Sequence, residues 1–129
     1  MTTNHYTTID TPTAPQMASF SQATMVAGMI YTSGQVGMNV ATSERDETFR
    51  DEVNRAIDNL EAVLSAGGSA LSAVVKTTCY LSSMDLYAEF DALYRERFAP
   101  PLPSRSTVQS GLARNFRIEI EAIARVIEA

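Results

Sequence analysis

Arg105 is a residue whose type and setting could do chemistry. It follows Pro103-Ser104, where rigid chain leads into a strand predicted over 104–111. A guanidinium fixed there presents a planar fork that matches a carboxylate with two hydrogen bonds. The same residue at a strand end could equally lay its stem along the surface and keep its head in water. Glu119 and Glu121 alternate with Ile118, Ile120 and Ala122, so they share one face of a strand predicted over 116–127. Paired carboxylates can divide acid and base work, because each raises the other's pKa. The other reading has them facing solvent or pairing with Arg117 and Arg125 on that same face.

Three further positions are of interest. Ser33-Gly34-Gln35 ends a predicted strand, where a hydroxyl and a backbone N–H could meet an anion, or simply make a turn. Thr107 shares a face with Arg105 if that strand is regular. Cys79 alternates with Thr77 and Leu81 and reads as a small buried apolar residue. The one histidine, His5, lies in a Thr-rich terminal stretch with no second histidine or cysteine beside it in sequence. No Gly-rich phosphate loop, HExxH pair, CxxC pair or nucleophile elbow is present, so neither a metal nor a cofactor is expected.

The elements that must hold these residues follow from periodicity. A strand is expected over 4–9, then irregular chain through Pro12 and Pro15. A hairpin comes next, reversing at Ala27-Gly28. Phe49, Val53, Ile57, Leu60 and Leu64 recur at spacings of three and four, predicting a helix over 44–66 with Ser43 as N-cap and Gly67-Gly68 as its stop. Residues 73–82 are rich in β-branched side chains and predict a strand. A second helix is expected over 84–98, ended by Pro100, Pro101 and Pro103. The order is β-β-β-α-β-α-β-β, an α+β arrangement with both helices on one face of a mixed sheet. The other face mixes Thr, Tyr, Lys and Glu with apolar residues, a composition that often packs against copies of itself.

Composition narrows the function. The chain has 129 residues, 45% hydrophobic and 19% charged, which suits one domain over 1–129. Its net charge of −5 argues against a phosphate-backbone partner, and Arg95, Arg97, Arg114 and Arg117 read as scattered surface cations. No stretch is long and apolar enough for a bilayer, and the first residues lack a signal pattern, so a cytoplasmic protein with no membrane partner is expected.

Taken together the segments resemble the RidA/YjgF/UK114 family. Pro103-Ser104-Arg105-Ser106-Thr107-Val108, then Leu112, then Ile118 to Ala124 (IEIEAIA), is similar to the family's P-x-R-S-x-V…L…IEIEAIA signature. Thr32-Ser33-Gly34-Gln35 resembles its SGQ motif, and Ala14-Pro15 with Phe20-Ser21-Gln22-Ala23 resembles its AP…YSQA pattern. Val75-Lys76-Thr77-Thr78 and Tyr94…Phe98 fit as well. The resemblance implies a chorismate mutase-like fold assembled as a homotrimer, barrel-like, with active sites between subunits. It implies hydrolytic deamination of 2-imino or 2-enamino acids such as 2-aminoacrylate to 2-keto acids and ammonia, without cofactor. Arg105 would bind the substrate carboxylate and Glu119 would act on water. Ser33 and Gly34 would line the pocket, and Phe20 and Thr107 would shape it. Two departures bear on the substrate: Phe20 stands where the family usually has tyrosine, and Thr107 where RidA commonly has cysteine. A binding protein for small carboxylates without turnover, and an endoribonuclease, are the other two readings.

Overall fold

The computed structural model describes residues 5–127. Its strands are β1 (Thr7–Ile9), β2 (Ala23–Val26), β3 (Met29–Thr32), β4 (Gln35–Val36), β5 (Val74–Leu81), β6 (Ser104–Gln109) and β7 (Ile118–Arg125). Two helices, α1 (Phe49–Ala66) and α2 (Tyr87–Arg97), complete it. One sheet runs β1-β2-β3-β7-β5-β6, and β4 also pairs with β7. Among the described residues β5 and β6 pair in parallel and the other pairings are antiparallel. The arrangement is α+β, as expected, with one strand more than the periodicity predicts. Two residues carry no alternation to detect, so β4 is invisible in the pattern.

The β2–β3 hairpin turns at Ala27 and Gly28, both at positive φ (52° and 77°), the geometry that matches strand twist in a two-residue loop. Residue 4 of the first predicted strand lies outside the described residues. The first helix begins five residues later than predicted. Thr48 caps it, its hydroxyl accepting from the Asp51 N–H at 3.1 Å, while Ser43 sits at φ 62° in a preceding turn and caps nothing. The apolar stripe begins only at Phe49, so residues 44–47 have nothing to bury by being helical. Met84–Leu86 forms a 3₁₀ turn leading into α2.

The core lies between the helices and one face of the sheet. Val53, Ile57, Leu60 and Leu64 of α1 meet Ile30, Leu81, Ile118 and Ile120 of the strands, all fully buried. Each such side chain contributes about 1.5–3 kcal/mol. On α2, Phe90, Leu93 and Tyr94 are buried, and the Tyr94 hydroxyl hydrogen-bonds Thr77 of β5 at 2.8 Å. Several arginines read as surface cations are tied down instead. Arg97 donates to Asp58 (2.7 Å) and to Asn54, joining α2 to α1, and Arg117 donates to the fully buried Glu52 (2.6 Å). Among the described residues no helix covers the opposite face of the sheet. Val26, Tyr31 and Val108 are exposed on it, beside half-buried Tyr80 and Ile123.

Candidate active site

A cavity of about 500 Å³ opens where β3 runs into β4 beside the start of β7. Pro15, Met17, Phe20, Val36, Met38 and Phe116 supply apolar wall, and Ser33, Gly34 and Glu119 supply the polar end. Gln22 lies behind the Pro15 wall and holds it. Fully buried, it donates through Nε2 to the carbonyls of Thr11, Ala14 and Pro15 and accepts from the Thr11 N–H, which fastens the Pro15 loop to β2. The Ser33 hydroxyl donates to the Ser21 carbonyl at 2.6 Å, and the Ser33 N–H to the Gln22 carbonyl at 2.8 Å. Ser33 therefore presents lone pairs to the cavity while its proton is committed to its own chain.

Glu119 lies hard against Gly34. A Cβ on Gly34 would fall inside the Glu119 side chain, 2.6 Å from its Cδ and 2.8 Å from its Cγ. Glycine leaves the space that Glu119 fills, on a backbone outside the left-handed region. Burial raises the pKa of the Glu119 carboxyl, and the charge of Glu121 raises it further. Glu121 does not line the cavity; its Oε1 accepts from the Tyr80 hydroxyl at 3.0 Å on the helix-free face. Cys79 is buried and its thiol pKa is pushed up to about 12 by desolvation, so it is inert as a nucleophile.

Arg105 is elsewhere. It pairs in register with Thr77 on the helix-covered face, at the edge strand β6, whereas Glu119 pairs with Tyr80 on the helix-free face. Two strand spacings and three residue rises separate their Cα atoms, roughly 14 Å. The guanidinium lies over the Tyr94 ring, 4.6 Å from its centroid, and donates to the Tyr87 hydroxyl and to Asp91. Thr107 follows on the same face, and its Oγ1 is buried without a hydrogen-bond partner among the described residues.

Comparison with known proteins supplies the family. The profile of the endoribonuclease L-PSP family matches residues 11–126. The 2-iminobutanoate/2-iminopropanoate deaminase of Dermatophagoides farinae is 42% identical over 123 residues, 93% of this chain and 95% of its own length. The crystal structure of RidA from an Antarctic Psychrobacter superposes with a TM-score of 0.89 at 31% identity, covering 93% of this chain and 99% of that one. The YjgF gene product of Escherichia coli gives 0.85 at 32% identity, covering 92% and 98%. This chain belongs to the RidA/YjgF family.

Of the residues that the RidA motifs single out, one chain brings Phe20, Ser33, Gly34 and Glu119 around a common cavity and holds Arg105 and Thr107 apart from it. Arg117, a candidate partner for the two glutamates, precedes β7 and points to Glu52 instead. Tyr87 and Asp91, which contact Arg105, carry no signal in the RidA motifs used. Their spacing from Tyr94, seven and three residues on the same helix, places them on one face, and that alone could have marked them. Among the described residues no cluster of three or more His, Cys, Asp or Glu side chains could hold a metal, and no helix is long and apolar enough to cross a membrane.

Proposed function

We propose that the protein is a hydrolytic deaminase of small 2-imino and 2-enamino acids, producing 2-keto acids and ammonia. The observation that carries the reading is the Glu119 carboxyl, its pKa raised by burial, set against the Gly34 backbone in an apolar cavity. A carboxyl so placed can take a proton from a bound water and pass it on. Water attacks the imine carbon, passing a proton through Glu119 to the departing nitrogen. The tetrahedral adduct then expels ammonia and leaves the keto acid. Imines are reactive toward water, so positioning and one proton relay suffice.

The substrate carboxylate needs a cation, and the one lining this cavity, Arg114, is drawn to the Ser43 carbonyl at 2.8 Å and to the Phe116 ring at 5.1 Å. In this reading Arg105 of a neighbouring copy supplies it, with Thr107 beside it. β6 is an open edge of the sheet, and the apolar helix-free face gives copies a surface to share. A head-to-tail contact of that kind closes into a ring, here a cytoplasmic homotrimer with its sites between subunits. Ser33 and Phe20 border the bound imine, and Phe20 leaves that rim without a phenol hydroxyl. Generating 2-aminoacrylate in situ and following ammonia release tests the reading. Acceleration over the buffer rate supports it. Binding of a 2-keto acid without acceleration would make the protein a carboxylate-binding module instead.

A further inference from the structure

Arg105 is not an empty fork. Its Nη2 donates to the Tyr87 hydroxyl at 2.8 Å and to Asp91 Oδ1 at 2.9 Å. A guanidinium offers a carboxylate two two-pronged edges, Nε with Nη2 and Nη1 with Nη2, so Nη2 belongs to both. Nη2 carries two hydrogens, and two acceptors stand on it here. A substrate carboxylate therefore cannot take a two-pronged contact on either edge while both contacts hold. The Tyr87 hydroxyl is neutral, but Asp91 is a carboxylate, the same chemical group as the proposed ligand's. Asp91 also has somewhere to go. Its Oδ2 lies 3.6 Å from Nε of Arg95, one helical turn along α2, and Arg95 is largely exposed. The aromatic faces of Tyr94 and Phe90, 4.6 and 5.5 Å from the Arg105 carbon, keep the guanidinium in place whichever carboxylate it holds.

We infer that Asp91 is an internal competitor for the Arg105 fork. It occupies the anchor when no ligand is bound, and an incoming carboxylate displaces it toward Arg95. The inference rests on the reading of Arg105 as carboxylate anchor. It makes Asp91 a specificity residue: a ligand must bring a full carboxylate to displace one, so amides and esters of the same acids are refused. It also weakens the grip on the product, whose carboxylate meets the same rival.

A purely positioning role for Asp91 predicts the opposite sign, because removing a positioning contact weakens binding. The test is calorimetric binding of pyruvate to the assembled protein, with KM and kcat for 2-iminopropanoate measured alongside. Asp91→Asn removes the competing charge and keeps the size. It should bind pyruvate about 2- to 5-fold tighter, the span of a partly exposed ion pair, and lower KM by a similar factor without raising kcat. Arg95→Gln, at a largely exposed position, removes the alternative partner and should bind pyruvate about 2-fold more weakly. Equal or weaker pyruvate binding by folded Asp91→Asn overturns the inference, as does unchanged binding in Arg95→Gln or no pyruvate binding by any form. Tighter binding by Asp91→Asn with no imine turnover in the wild type would leave the competitor standing and remove the deaminase reading. Imine turnover by the wild type with a raised KM in Asp91→Asn would do the reverse.

Discussion

Gly34→Ala places one methyl group where the structure has no room for it. The new Cβ would stand 2.6 Å from Glu119 Cδ. Carbon atoms rest at about 3.5–4.0 Å, so the carboxyl group must withdraw by roughly 1 Å. The alanine itself is compatible with the backbone, which lies outside the left-handed region. The strain therefore falls on the side chain, and a carboxyl group at the end of two methylenes can swing. The stability cost should sit near the low end of overpacking, about 1 kcal/mol. Catalysis should suffer more, because a displacement of about 1 Å in a reacting group can cost on the order of 10²-fold. We expect kcat/KM for 2-iminopropanoate to fall by about that factor with little loss of Tm. Repeating the substitution in a Glu119→Ala background removes the clashing group, so the Tm penalty should vanish there. Wild-type turnover by folded Gly34→Ala would refute the placement of Glu119 at the reacting centre. An undiminished Tm penalty in the Glu119→Ala background would show that the methyl meets something else.

Three other outcomes follow from the same geometry. Arg105→Lys keeps the charge but not the fork, so imine turnover should drop at least tenfold with the fold intact by circular dichroism. Glu119→Gln should reduce the deamination rate on the order of 10²-fold or more. It should also raise Tm at neutral pH. A carboxyl whose folded pKa is raised binds its proton more tightly in the native state, so its contribution is fully present below the unfolded pKa and is lost as pH rises through the folded value. The Tm advantage of the amide should accordingly shrink on acidification. Gln22→Leu strips four hydrogen bonds from the Thr11–Pro15 loop, leaving the buried Ala14 carbonyl without its partner, and should cost at least about 2 kcal/mol in urea unfolding.

Much of the frame is legible in the residues. The stripe from Phe49 to Leu64 and the alternation from Ile118 to Ala124 each name a buried face, because one element repeats its period long enough to be read. The Ala27-Gly28 reversal is equally local. What cannot be read is set by distance in sequence. Nothing near Ile118 says that β7 lies between β3 and β5, and it is that placement which puts Arg105 and Glu119 on opposite faces, two strands apart. Glu119 and Glu121 are indistinguishable in the alternation; they separate only because Gly34 lies against one and Tyr80 against the other. Asp91 is hidden for a related reason: its partner on β6 is fourteen residues away, and the packing of α2 over that edge brings them together.

In the proposed deaminase each site is made from two copies, one contributing Arg105 and the next contributing Glu119. Arg105→Lys and Glu119→Gln chains, each slowed at least tenfold as a pure assembly, should be unfolded together, refolded into mixed assemblies and assayed for ammonia release from 2-iminopropanoate. In random mixtures each site draws its cation and its carboxyl from different copies, so about one quarter of sites should recover both native residues. Activity near a quarter of wild type is the predicted result. Mixed assemblies, verified by native mass spectrometry, that remain as slow as their parents would rule out a site shared between copies.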